Sequence, residues 1–504
     1  MQTQNNCNGC KFMNIKLAIL LPSLLSISNS FAGGFQMHEQ NASLGDVHAS
    51  NSVIANDASI GFYNPAGLID IETPKVTVAT VAVTNNMSFK GQTIVDTNPP
   101  SDNPIAYPPV IGSGKVSTNG LHVIPSMHFA TPINDRFAFG LSIASPFAAE
   151  LGWSDNKFTR FNTTQNAIKT INFSPSLAMK VNNELAVGFG PEIQYVDMQI
   201  NKMVGVGYGF AKLFSNAEHD DPDFFDNLDE ESKKQVTKSF DSKVTNNLTN
   251  IALGWHAGLL WKPINNFKLG FRYRDKIEHH ATGESKLKGK LAGSHDDFSP
   301  NKENKSKKLK AIIKIPASTT LSVEYKPFST VSLVSSLIYT QWNTVKYFNL
   351  KNVPTSFSDP TTQAPLYTKL VTNKLGFRNT FTLLNGVHWR YNNKLLLKTG
   401  LGYDQTPSND SYRDLKIPDG NRILFGLGGN YDYTKNLNIE VGYMFVNVRN
   451  TKISNISIIP AADIEYNLMN PGEINAIKGR ADGYAHLLGF QFTLNTPKVM
   501  QYFI

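Results

Sequence analysis

The chain reads as an all-β protein: a transmembrane antiparallel β-barrel of fourteen strands, with an N-terminal hatch plugging the lumen. Three observations predict this. Each candidate strand carries one apolar and one mixed face, the period-two pattern of a wall between two different media. The gaps between strands alternate long and short, as where turns lie on one side of a membrane and loops on the other. The chain opens on an export signal.

That signal comes first. Lys11 and Lys16 precede a short apolar stretch from Leu17 to Ile27, interrupted by Pro22 and two serines, and Ser30-Phe31-Ala32 is a small-x-small cleavage pattern before Gly33. The run is too short to span a bilayer, so it is a signal peptide and not an anchor. The resulting division is a signal peptide over 1–32, a hatch over 33–74, a barrel with long extracellular loops over 75–495 and a C-terminal extension over 496–504. Met13 begins a complete signal peptide by itself and is the expected true start. Cys7 and Cys10 precede it, so the mature chain carries no cysteine and their Cys-x-x-Cys spacing carries no metal or redox reading.

Removing residues 1–32 takes away Lys11 and Lys16 and no acid, so the net charge falls from +8 to +6. The surplus is scattered and no recognition motif accompanies it, which argues against nucleic acid. Basic side chains do gather at Lys302, Lys305, Lys307, Lys308, Lys310 and Lys314, in an Asn- and Ser-rich stretch. It reads as a solvated loop able to touch an anionic outer leaflet. No stretch after Gly33 is apolar enough for a membrane helix.

Residues 33–70 are small and polar, too long for a lead-in to the first strand, and fit a plug folded inside the barrel. The strands follow at 75–85, 118–130, 136–146, 170–180, 185–199, 250–261, 267–281, 313–325, 331–342, 379–390, 394–403, 422–431, 437–449 and 482–494. In one of them Phe267, Leu269, Phe271 and Tyr273 alternate with Lys268, Gly270, Arg272 and Arg274. In a barrel the first set meets lipid and the second the wet interior. Short connections at 131–135, 181–183, 262–266, 326–330, 391–393 and 432–436 are built of Pro, Asn and Asp, residues suited to turns. An even count lets the first and last strands pair antiparallel and close the sheet, which lipid requires.

Several segments together resemble the outer-membrane long-chain fatty-acid and aromatic-hydrocarbon transporter family (OMPP1/FadL/TodX-like). They are Gly34 to Gln40, Asn56 to Ser59, Phe62-Tyr63-Asn64-Pro65-Ala66-Gly67-Leu68, Ile143 to Phe147, Thr170 to Leu177, Gly254 to Gly258, Leu269 to Arg274, Tyr403 to Pro407 and Ile417 to Arg422. Their order spans the mature chain. The stretch Ser43 to Ser50 departs from the family, whose members commonly carry glycines and an arginine there.

The resemblance implies a fourteen-stranded outer-membrane barrel in a Gram-negative cell, with Asn64, Pro65 and Ala66 in the hatch. It implies passive uptake of long-chain fatty acids or similar hydrophobic compounds through an extracellular groove, an internal pocket and a lateral opening at a distortion of the third strand. Candidates for that gate are Gly140, Ser145 and Pro146; equally, Pro146 only ends the strand at the loop. Proline lacks a ladder donor, so either place suits it. Candidate groove residues are Met203, Val206, Phe210, Leu213, Phe214, Phe224, Phe225 and Leu228, which would otherwise form the small core of a folded loop. Arg272, Arg274, Arg413 and Arg422 are candidate carboxylate partners, since arginine makes paired bonds to a carboxylate; lumen ion pairs are their other use. The expected partners are the hydrophobic molecule, outer-membrane lipid and the barrel-assembly machinery, with the protein a monomer. No cofactor or metal is expected.

An enzyme finds little support. Gly112-Ser113-Gly114-Lys115 lacks the spacing and the Ser or Thr of a phosphate loop. His279 and His280 point to opposite faces of a strand. An outer-membrane lipase or phospholipase, and a general porin or surface adhesin, are the alternatives: ester hydrolysis would mark the first and passage of polar solutes the porin.

Overall fold

The computed structural model describes residues 34–96, 110–206, 208–293, 299–358, 365–368, 370–459 and 473–496. The signal peptide, both cysteines and all of the C-terminal extension after Thr496 lie outside the described residues. The strands, in chain order, are β1 (Lys75–Asp96), β2 (Val110–Pro132), β3 (Phe137–Ala144), β4 (Ala148–Gly152), β5 (Gln165–Lys180), β6 (Leu185–Val204), β7 (Ser242–Ile264), β8 (Phe267–Arg274), β9 (Ile277–Lys288), β10 (Glu303–Ile315), β11 (Ser318–Phe328), β12 (Val331–Thr340), β13 (Tyr347–Lys351), β14 (Pro354–Ser358), β15 (Pro365–Tyr367), β16 (Val371–Lys374), β17 (Thr380–Arg390), β18 (Leu395–Asp404), β19 (Arg422–Asp432), β20 (Leu437–Ile459) and β21 (Glu473–Asn495). Helices are α1 (Ile60–Tyr63), α2 (Tyr208–His219) and α3 (Glu230–Ser239).

All but β14 and β15, which pair with each other as a separate ribbon, make fourteen antiparallel spans in one continuous sheet. Five spans are interrupted: β3 with β4, β8 with β9, β10 with β11, β12 with β13, and β16 with β17. β1 pairs with β21 from Lys75↔Asn495 to Asp96↔Ile474, which closes the barrel and leaves no sheet edge in lipid at the seam.

The wall faces two media. Outward residues at mid-height are apolar and bare: Leu401 is 59% exposed and Leu427 49%. Such a belt would be costly in water and is satisfied by hydrocarbon. Aromatic side chains rim it. Trp255 meets Tyr273 at 5.1 Å and Tyr339 meets Phe381 at 4.9 Å on the loop side, and Trp389 meets Tyr391 at 5.4 Å on the turn side. Amphipathic rings belong at such interfaces.

Beyond the loop-side rim the polarity reverses. On β10 Leu309, Ala311, Ile313 and Ile315 point inward and are buried, while Lys308, Lys310 and Lys314 point outward. This corrects the reading of the stretch up to 312 as a loop: from Glu303 it is strand, and its lysines are outward because this part of the wall stands in water. Likewise the segment 200–249, read as one loop, is β6 running to Val204, then α2 and α3, then β7 from Ser242. α3 begins where the Asp229 side chain accepts the Ser232 N–H, an N-cap.

Residues 34–70 fill the lumen. Asn64 is fully buried; its Nδ2 donates to the Ser52 carbonyl at 2.8 Å and to the Leu259 carbonyl of β7 at 3.1 Å, and its Oδ1 accepts the Ala66 N–H. Pro65, with no N–H to lose, opens the following turn of 3-10 helix, Pro65–Asp70. The wall admits this element because glycine faces it. A Cβ at Gly258 would stand 2.0 Å from Asn64 Oδ1, and one at Gly188 2.4 Å from the Ala66 nitrogen. In the departing stretch, Val47 and His48 take positive φ of 50° and 68°, a conformation that favours glycine. The Asp46 carboxylate supports them, accepting the N–H of His48 and of Ser50 and meeting His388 of β17 at 2.7 Å.

Candidate functional site: the broken third span

The third span is interrupted where the sequence reads Ser145-Pro146-Phe147. Ala144 pairs with Asn172 and Ala148 with Lys169, so three residues oppose two on β5 and the strand is bulged. On its other side β3 pairs with β2 only from Met127↔Ile143 to Pro132↔Ala138. From Val110 to Ser126 the second edge of β2 meets no strand among the described residues. Pro125, paired with Thr80 of β1, stands beside the point where that edge loses its partner.

The N-terminal stretch seats in this interruption from inside. Gln36 bridges Phe147, the Met37 N–H donates to the Pro146 carbonyl at 2.8 Å, and the Ala148 N–H to the Phe35 carbonyl at 2.9 Å. Gln40 ties both sides of the gap. Its amide donates to the Ser145 carbonyl at 2.8 Å and accepts the Ser145 N–H at 2.6 Å. Its own carbonyl accepts from Ser126 Oγ at 2.8 Å and lies 2.9 Å from the His128 ring. The backbone polar groups freed by the break are thus paired. Next to them, burial pushes the Glu39 carboxyl up to about 7, and Glu39 Oε2 has no hydrogen-bond partner among the described residues.

Above the break the interior is greasy. Phe35, Phe147, Trp342 and Phe377 meet edge to face, with Trp342 4.8 Å from Phe35. Ile168, Val196, Ile200, Val244, Leu248, Ile313 and Ile315 continue this lining through the loop-side half of the barrel.

Below it lies a small cavity of about 30 Å³ that touches Pro146, Phe62, Arg272 and Arg274. Arg274 Nε stands 2.7 Å from Glu192 Oε1 and its guanidinium lies 4.2 Å from the Phe62 ring centre. Arg272 is buried, and its Nε and Nη2 have no hydrogen-bond partner among the described residues. A buried guanidinium with free donors has the chemistry to take an anion.

The other candidates lie elsewhere. Arg422 pairs with Asp404 and Asp419, and Asp419 accepts the Gly34 N–H at 3.0 Å, so this group anchors the start of the hatch. Arg413 binds Asp410 and the carbonyls of Ser408 and Lys452. Gly140 sits inside the intact part of β3, where a Cβ would press Leu68 at 2.8 Å; one at Gly152 would meet nothing. Val206 and Phe225 pack with Phe240 and Leu291 into a small core beside α2, with Leu228 against it. Phe224 stacks on His219 at 3.6 Å, and Met203 closes β6. Phe210, Leu213 and Phe214 lie on α2, with their side chains outside the described residues. Gln40, Ser126 and His128 were not legible as a group: nothing in their spacing links a hatch amide to a strand on each side of a gap.

Residues 23–495 match the family model described as outer membrane protein transport protein (OMPP1/FadL/TodX). Outer membrane protein P1 of Haemophilus influenzae is 24% identical over 446 residues, covering 86% of this chain and 90% of that one. The long-chain fatty acid transport protein of Escherichia coli K12 is 22% identical over 457 residues, covering 88% and 94%. Among solved structures, a FadL homologue of Pseudomonas aeruginosa superposes with a TM-score of 0.70 at 23% identity, covering 92% of this chain and 99% of that one. The toluene transporter TbuX of Ralstonia pickettii superposes with a TM-score of 0.54 at 12% identity, covering 89% and 98%.

Proposed function

The chain belongs to the outer membrane protein transport family (OMPP1/FadL/TodX), and from that premise we propose that it takes up long-chain fatty acids or similar hydrophobic molecules passively and releases them sideways through its wall. It is a multi-span outer-membrane barrel, and a transporter rather than an enzyme.

In this reading the substrate enters the apolar loop-side interior. Burial is worth roughly 0.8 kcal/mol per methylene, so a long acyl chain binds from dilute solution without any bonded contact. The carboxylate of a fatty acid then meets Arg272 and Arg274, and Phe62 lines the same cavity. Release needs residues 35–40 to leave the break, since they close it. The tail then slides between β2 and β3 into lipid and never crosses water. The hatch residues Asn64, Pro65 and Ala66 act as the fixed base below. Val206, Phe225 and Leu228 hold the loop that shapes the mouth. The same barrel is read as a monomer inserted by the barrel-assembly machinery.

The observation that carries this reading is the unpaired edge of β2 facing a bulged third span. Deleting Pro146 removes the extra residue and restores an unbroken register. Uptake of labelled oleate by cells lacking the native gene should then fall at least tenfold, while the purified variant keeps the heat-shifted mobility of a folded barrel. Undiminished uptake by that folded variant would overturn the lateral route.

A further inference from the structure

Outside the barrel, beyond the loop-side aromatic rim, a recess of about 710 Å³ lies between β9, β10 and β13 and is lined by His280, Lys310, Ile312, Lys314, Lys346 and Lys351 among others. It exists because β10 and β13 pair only at Lys310↔Lys351 and Ala311↔Leu350. Partners directly opposite in a sheet share a face, and like charges there repel. Lys310 and Lys351 are such a pair, and both are exposed. Neither their side chains nor that of Lys346 make an ion pair or hydrogen bond among the described residues. Glu278 is the nearby acid, 3.7 Å from Lys314 and 3.4 Å from His280, and it leaves those three lysines unmatched.

We propose that this recess binds the anionic headgroup of an outer-leaflet glycolipid. The repulsion across Lys310 and Lys351 is relieved by an anion that bridges them, and Ile312 and Tyr347 between the lysines give its apolar base a surface. Level chooses the lipid. Thr319 pairs with Tyr339 of the aromatic rim, and Ser318 with Arg274 beside Tyr273. Lys314 precedes Ser318 by four residues on a span that runs inward from the loops, so it stands further out by about 13 Å at 3.3 Å per residue, or roughly 9 Å along the membrane normal for a tilt of about 45°. That is headgroup height. Lys310 and Lys351 stand further out, past a phospholipid's thin headgroup and level with charge carried on sugars. Near a membrane surface each such lysine adds to anionic lipid binding.

The test uses the full mature barrel in detergent and native mass spectrometry, with two probes in competition: lipid A bearing two acidic core sugars, and phosphatidylglycerol. The unmodified protein should retain the glycolipid at least tenfold over the phospholipid. The triple variant Lys310→Gln, Lys346→Gln, Lys351→Gln should lose at least tenfold of that retention, while Lys394→Gln with Lys435→Gln, on the turn side, should lose none. Equal retention of the two lipids by the unmodified protein would overturn the proposal, as would full retention by the triple variant. No transported substrate is present, so the outcome is independent of the uptake reading.

Discussion

Gln40 holds Ser145 at both of its backbone groups, 2.8 Å to the carbonyl and 2.6 Å from the N–H, in the manner of a neighbouring strand. A side chain of the hatch therefore completes the ladder that the third span abandons. Removing it leaves buried backbone groups unpaired, at about 1–3 kcal/mol each. Gln40→Ala should raise hydrogen exchange at Ser145 and Met37 at least tenfold and change oleate uptake, with the barrel itself still folded.

The Glu39 carboxyl has a raised value of about 7 against an ordinary 4.5, with burial the leading cause. A group that binds its proton more tightly when folded stabilises fully below its ordinary value, and that contribution is lost as pH rises through the folded one. Seating of residues 35–40 should therefore be firmest below about pH 4.5 and weaken up to about pH 7. Hydrogen exchange of this stretch across that window is the measurement. Glu39→Gln should flatten the profile.

Gly258 faces Asn64 with no room for a side chain. Gly258→Ala overpacks the contact, typically costing about 1–3 kcal/mol. The barrel keeps its own ladder, so the loss should fall on the hatch. Liposomes carrying this variant should leak small sugars that the parent retains, and deletion of residues 34–70 should leak more.

Arg272 has two nitrogens without partners beside the cavity under the break. Arg272→Gln should weaken uptake of a long-chain carboxylate about tenfold, the scale of one charge-assisted contact. Uptake of a neutral alkane or arene should change less than twofold. Parallel radiolabel assays with both substrates separate the two outcomes.

Much of the barrel was legible because lipid imposes a simple rule. Phe271 and Tyr273 alternate with Arg272 and Arg274 in sequence, and the structure puts the first pair outward and the second inward. An irregularity at Ser145-Pro146 was legible for a backbone reason, since proline cannot donate to a ladder, but whether it broke the strand or ended it was not. The part of β10 before Ile313 was misread because its outward face is mostly lysine. The rule of an apolar exterior stops where the bilayer stops, and the alternation of Leu309, Ala311, Ile313 and Ile315 was the overlooked sign. The helices α2 and α3 were hidden in a short polar stretch whose order comes from packing around Phe225 and Phe240. The fit of Gly188 and Gly258 to the hatch is a pairing across more than a hundred residues, which local pattern does not encode.

The reversal of polarity above the rim has a consequence for how oily molecules reach the cell. Sugar chains on the outer face of such a membrane repel grease as effectively as water does. On the proposed uptake route, a wall that stays wet outside and oily inside would serve as a chimney through that layer. A molecule on that route would find shelter at the top of the shaft, well before it could touch the bilayer, with Phe35 and Trp342 waiting below it.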